Sequence, residues 1–319
     1  MKRLRKTWGF GVALLLLIPA LTQAGPKETP VKIESNSGTL HGSLLLPDTT
    51  NTVPVVLIIA GSGPTDRDGN GPGMINNSLK LLANGLASHN IASLRFDKRG
   101  VGKSAGALGA EKDLRFDHYI DDVGAWIRFL KTDTRFDHVF VIGHSEGSLL
   151  GMVAIQKHPV SGYVSLAGSG RPAATLLQEQ LQSQPDTIRT EADSILDQLL
   201  AGKTVPSISP GLHALFRPSV QPYLISWFAY DPRQEIAKIH APILIVQGKT
   251  DLQVSLKDAD ALARANPKAK RLTLPKMNHV LKQAPINRAE NLHTYTDPKL
   301  PLAPGLITGI RDFVLHHSL

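Results

Sequence analysis

The chain has 319 residues, 42% of them hydrophobic, with 35 basic against 27 acidic side chains and a formal net charge of +8. That apolar content supports one sizeable core, and the basic excess is too mild and dispersed for a nucleic-acid-binding face. No cysteine occurs, which excludes disulfides, a lipoprotein anchor, a thiol nucleophile and cysteine-ligated metal.

The first segment reads as a signal peptide over residues 1–24. Lys2, Arg3, Arg5 and Lys6 form a basic start, Gly9 to Leu21 is apolar, and Thr22-Gln23-Ala24 supplies small residues before a cleavage site after Ala24. The apolar run is shorter than the roughly 18 residues of a membrane span, so no stable membrane anchor is expected after cleavage. Removing its four basic residues leaves 31 basic against 27 acidic, a net of +4. An exported, cysteine-free chain points to a bacterial periplasmic or secreted protein.

The remaining residues, 25–319, read as one α/β domain. Lys32 to Ser35 and Gly38 to Pro47 flank a turn at Asn36-Ser37-Gly38, which predicts an opening antiparallel hairpin. Pro54 to Ala60 is apolar without alternation, the pattern of a strand buried on both faces of a parallel sheet. A glycine-rich loop from Gly61 to Gly73 follows, then a helix from about Asn77 to Ser88. Ile91 to Asp97 is a strand, and Asp117 to Lys131 carries Ile120, Val123, Ile127 and Leu130 at helical intervals.

Val139 to Gly147 is the centre of the chain. A short apolar strand runs into Gly143-His144-Ser145-Glu146-Gly147, a G-x-S-x-G pattern, and a helix begins at Ser148. A nucleophile elbow needs this context, with strand and helix brought close by glycines around a serine of strained backbone. Gly162 to Gly168 is the next strand. From about 170 to 239 no buried strand occurs, and helical, polar sequence reads as an insertion capping the site. Strands resume at Pro242 to Gly248 and Arg271 to Leu274, with a helix from Ser255 to about Asn266 between them. An amphipathic helix closes the chain.

A serine hydroxyl needs an imidazole to take its proton and a carboxylate to hold that imidazole. Asp251 and His279 each lie just past a strand, at the sheet edge where the elbow sits and where open α/β sheets build their sites. The order Ser, Asp, His matches the α/β-hydrolase arrangement. Asp231 and Asp258 are rival acids, one in the insertion and the other inside a predicted helix. His240 and His293 are rival bases, and His240 precedes a strand at the opposite edge.

The chain resembles the α/β-hydrolase family over almost all of its mature sequence, and within it a bacterial serine carboxylesterase subset. The resemblance rests on G-H-S-E-G at 143–147, G-K-T-D at 248–251 and M-N-H at 277–279. Asp97 to Ser104 is similar to the family's D-x-R-G-x-G-x-S turn, and Gly61 to Gly69 and Asn278 to Leu281 are similar to that subset. One departure is Ala60-Gly61 in place of the usual His-Gly.

The resemblance implies a mostly parallel central sheet covered by helices with a helical cap insertion, and a Ser145-His279-Asp251 triad. It places the oxyanion-hole N–H groups on Ser62 and Glu146, with Gly63 as the near alternative to Ser62. The activity implied is hydrolysis of a small-molecule carboxylic ester through an acyl-enzyme, without cofactor. A peptidase, aminopeptidase or thioesterase would use the same triad, and a hydrolase-like binding protein would use none of it. Asp66, Arg67 and Asp68 are expected to be satisfied within their own loop, and Asp97 with Arg99 to brace the next one. The twelve histidines show no metal-ligand spacing.

Overall fold

The computed structural model describes residues 25–318, so the signal-peptide reading lies outside the described residues. Eight strands form one sheet in the order β1-β2-β4-β3-β5-β6-β7-β8. β1 (Lys27–Ser35) and β2 (Gly38–Leu46) make the antiparallel hairpin, and β2 lies antiparallel to β4 (Ala92–Phe96). β3 (Val53–Ile59), β4, β5 (Phe136–His144), β6 (Gly162–Leu166), β7 (Ile243–Gly248) and β8 (Lys270–Leu274) run parallel to one another. Parallel strands need crossovers, and the helices that supply them cover both faces.

All seven residues of β3 are buried, because alternate side chains feed two cores. Val55, Leu57 and Ile59 join Val141 and Ile245 on one face, packed against α2 (Phe116–Lys131) and α3 (Glu146–Lys157). Val56 and Ile58 join Phe140, Ile142, Val164 and Val246 on the other face, packed against α1 (Ser78–Ala87). The period of two along the strands is thus matched by apolar stripes of period 3.6 on the covering helices.

Between β6 and β7 lie α4 (Ala173–Leu181), α5 (Asp186–Leu200), α6 (His213–Phe216), α7 (Gln221–Phe228) and α8 (Pro232–Ala237). Ile195, Leu199, Phe216 and Leu224 bury themselves in a core continuous with that of the sheet. Phe116 at the start of α2 stacks on Trp227 of α7, with ring centroids 5.7 Å apart and planes 4° from parallel. α9 (Leu256–Ala265) returns the chain to β8, and α10 (Arg288–His293) and α11 (Leu306–His316) follow. Ile310, Phe313 and Val314 of α11 pack beside α1. Among the described residues no helix is long and apolar enough to cross a membrane.

Candidate active site

Ser145 stands between the last residue of β5 and the first of α3, with φ 55° and ψ −121°, a conformation disfavoured for any residue with a Cβ. The two motif glycines make this turn possible by absence of side chain. A Cβ on Gly143 would lie 2.2 Å from the carbonyl oxygen of Gly147, and one on Gly147 would lie 2.5 Å from that of Ile59. The helix start is therefore pressed against two strands, and the serine is held out at the carboxyl edge of the sheet.

His279 meets it from the loop after β8. Its Nε2 lies 3.0 Å from Ser145 Oγ, and its Nδ1 lies 2.9 Å from Asp251 Oδ2, from the loop after β7. Asp251 Oδ1 accepts the backbone N–H groups of Gln253 and Val254 at 2.8 and 3.0 Å, and Oδ2 accepts Gln247 Nε2 at 3.2 Å. Burial acts to raise the Asp251 carboxyl pKa. The adjacent His279 and these backbone donors outweigh it and hold the group below the ordinary carboxylate range. An ionised Asp251 fixes the Nδ1–H tautomer of His279, which leaves Nε2 free to accept the serine proton.

The rival groups are occupied elsewhere. Asp231 caps α8 and pairs with Arg233, while Asp258 is fully buried against Arg171 and Ser255. His240 and His293 are exposed, and neither is joined to Ser145.

Ser62 and Glu146 line the same cavity as Ser145, whereas Gly63 is not among its walls. The cavity is about 100 Å³ in volume. Leu149, Ala173, Leu176, Leu177, Trp227 and Pro232 give it an apolar wall drawn largely from the insertion. Ser169, Arg171, Gln180 and Gln253 give it a polar one. Among the described residues no group of three or more His, Asp or Glu side chains is placed to hold a metal ion.

Two expectations about the neighbouring loops need correction. Asp97 and Arg99 do not brace each other. Asp97 takes both Nε and Nη2 of Arg67, at 3.1 and 2.6 Å, and Arg99 pairs with Asp122 at 2.5 Å. Only Asp66 is satisfied within its own turn, by the N–H groups of Asp68 and Asn70. Asp68 reaches Arg95 on β4 instead. The reason is burial: a guanidinium that is fully shielded from water, as Arg95 is, needs a carboxylate wherever the fold can bring one.

Three side chains near the serine escape sequence reasoning. His144 is buried, its Nε2–H donates to the carbonyl oxygen of His279 at 2.8 Å, and the two rings lie 5.0 Å apart. Burial, with His279 beside it, lowers its pKa to about 4, so it stays neutral while tying the elbow to the histidine loop. Lys98 and Glu146 form a buried ion pair at 3.1 Å, and Tyr223 of α7 donates its hydroxyl to the other carboxylate oxygen at 2.8 Å. No local pattern marks the contacts of His144, Lys98 and Tyr223, because each partner comes from a different part of the chain.

The eight-stranded sheet, the strained serine after its fifth strand and the helical crossovers decide the fold. The chain has the α/β-hydrolase fold. Its sequence is similar to those of a serine hydrolase family and a bacterial esterase. The family model described as Serine aminopeptidase, S33, matches residues 71–213, a span that holds Ser145 and ends before Asp251 and His279. Esterase EstD of Thermotoga maritima is 28% identical over 251 residues, which is 76% of this chain and 58% of that protein. The chain thus spans well under two thirds of the length of that curated relative.

Among solved structures, Est1E from Butyrivibrio proteoclasticus with bound ferulic acid is similar at a TM-score of 0.61 and 17% identity. The match covers 90% of this chain and 98% of that one. The α/β-hydrolase GrgF from a Penicillium is similar at 0.61 and 16%, covering 92% and 99%. At such identities the likeness is one of fold.

Proposed function

We propose that this α/β-hydrolase is an exported serine esterase that cleaves small carboxylic esters through an acyl-enzyme on Ser145. The observation that carries the reading is the unbroken relay Ser145–His279–Asp251, facing a partly apolar cavity. Ser145 Oγ attacks the ester carbonyl while His279 Nε2 takes its proton, and Asp251 steadies the resulting imidazolium. The N–H groups of Ser62 and Glu146 hold the oxyanion. His279 then returns the proton to the departing alcohol. Water, deprotonated by His279, attacks the acyl group and frees the acid.

The charge of the cavity favours an ester over an aminopeptidase substrate. Recognition of a free α-ammonium needs an available carboxylate, and the one acidic residue in the wall, Glu146, has its carboxylate engaged by Lys98 and Tyr223. The cationic side chain on the wall, Arg171, is itself paired with Asp258 and Glu179, so the wall offers an ammonium group no free carboxylate. Purified protein is to be assayed on p-nitrophenyl esters of graded chain length beside aminoacyl p-nitroanilides and thioesters. Preference for the anilides overturns the assignment. Export rests on the basic and apolar residues before Gly25. N-terminal sequencing of the protein from a periplasmic fraction is expected to begin at Gly25, and a full-length chain in the cytosol refutes it.

A further inference from the structure

Lys98 stands behind the oxyanion loop, with 1% of its surface exposed. Its ammonium donates to the carbonyl oxygen of Gly61 at 2.5 Å and to Glu146 Oε1 at 3.1 Å, and lies 5.1 Å from the centre of the Tyr119 ring. The carbonyl it binds belongs to the peptide unit whose N–H is that of Ser62. All peptide bonds among the described residues are trans, and a trans unit points its C=O and N–H in opposite directions. A cation fixed on the carbonyl side therefore directs the N–H the other way. That peptide also abuts the serine, since a Cβ on Gly61 would sit 3.1 Å from Ser145 Cβ. The second partner of Lys98 is the side chain of Glu146, whose backbone N–H is the other oxyanion donor.

We infer that Lys98 is a positioning residue of the oxyanion hole: it orients and polarises the Gly61–Ser62 peptide and locks it to Glu146. The inference rests on the esterase reading and adds a residue to it. Two physical arguments support the role. Hydrogen bonds in series polarise one another at low dielectric, by roughly 10–30% per bond. A charge on the Gly61 oxygen therefore strengthens the Ser62 N–H as a donor when negative charge develops opposite it. In addition, a buried ion pair is often replaceable by apolar side chains at no cost in stability. Stability alone therefore does not account for the pair, and here its two ends reach the two donors of the same hole.

The test pairs two variants, because Lys98→Met alone leaves Glu146 buried without its cation and can unfold the chain. Lys98→Met/Glu146→Gln removes both charges and keeps the Glu146 backbone N–H. The double variant is expected to keep its urea midpoint near that of the wild type, to lose about 30- to 100-fold in kcat on p-nitrophenyl acetate, and to change KM by less than about threefold. Phenylboronic acid, which forms an anionic tetrahedral adduct on an active serine, is expected to bind the double variant more weakly by a similar factor.

Lys98→Arg, which keeps the cation and a donor, is expected to recover part of kcat. A folded double variant with kcat and boronate affinity within twofold of wild type overturns the role of Lys98 and leaves the esterase intact. A rise in KM with unchanged kcat also overturns it, since that marks loop bracing alone. A wild-type protein that neither hydrolyses the ester nor binds the boronate removes the esterase reading and this inference together.

Discussion

Around Ser145 the backbone is fixed by contacts that leave no room for a Cβ at either motif glycine. The helices α4 to α8 are instead held by ordinary apolar stripes, with Ile195, Leu199, Phe216 and Leu224 buried in a shared core. The first arrangement admits few sequences, because steric overlap with backbone has no flexible way out. The second admits many, because conservative exchanges of buried aliphatic residues of similar volume cost little. One region carries the proposed nucleophile and the other supplies much of the wall of the cavity beside it. The two are joined at the Tyr223–Glu146 hydrogen bond and the Phe116–Trp227 stack.

The largest expected effect lies at the elbow. Ser145→Ala is expected to lower kcat on a p-nitrophenyl ester by about 10⁵-fold while leaving the circular dichroism and urea midpoint near wild type. His279→Ala is expected to fall in the same range, and the exposed His293→Ala to leave turnover within twofold. A Ser145→Ala protein that still turns over at wild-type rate would place the nucleophile elsewhere and remove the chemical half of the contrast.

The steric half is tested by Gly147→Val. Its Cβ would meet the carbonyl oxygens of Ile59 and Ala60 at 2.5 and 2.6 Å, so strand and helix would have to part. A loss of more than about 3 kcal/mol is expected in urea unfolding, at the upper end of overpacking costs. A matched exchange in the insertion, Leu199→Ile, is expected to cost less than about 1.5 kcal/mol. Equal losses at the two sites would show that the elbow is no more constrained than the insertion.

The contrast also explains what could be read from the amino-acid sequence. The sheet, its two-faced strand β3 and the motif around Ser145 are local patterns of periodicity and glycine spacing. Asp251 and His279 stand just past the ends of their strands, so the strand pattern carries them to one edge. His144, Lys98 and Tyr223 were beyond reach, because their roles come from partners 135, 48 and 77 residues away in the chain. The expected Asp97–Arg99 brace failed for the same reason. Neighbours in sequence are easy to pair on paper, yet Arg67 and Asp122 are the partners that burial selects.

His144 ties the elbow to the histidine loop, and its buried neutral form gives this region a pH dependence. Its pKa falls from 6.5 to about 4 on folding, so the unfolded chain binds the extra proton first as pH drops. The stability it contributes is full well above pH 6.5 and declines as pH falls toward 4, by on the order of 2–3 kcal/mol at pH 4.5. Asp251, whose pKa is depressed in the fold, adds a loss of the same sign below its ordinary range. The fall in unfolding free energy from pH 8 to 4.5, taken from urea curves, is expected to be smaller in His144→Gln than in wild type by that amount. Equal falls would mean that another group carries the dependence.

The smallest effect belongs to the insertion and bears on which molecules enter. Trp227 lines the same cavity as Ser145 and stacks on Phe116, and we propose that its ring limits the length of the acyl group that fits. Truncation to alanine removes that limit. An added methylene in an apolar pocket is worth on the order of 1–3 kcal/mol, so the ratio of kcat/KM for p-nitrophenyl hexanoate to that for the acetate is expected to rise about tenfold. Ser145, His279 and Asp251 are untouched by the change, so the shift would be one of selectivity carried by the insertion. If the ratio stays at its wild-type value, α7 is a packing helix whose ring the substrate never meets. Chain-length selection would then fall to Leu149 at the elbow, or to Leu176 and Leu177 on α4, which complete the apolar wall.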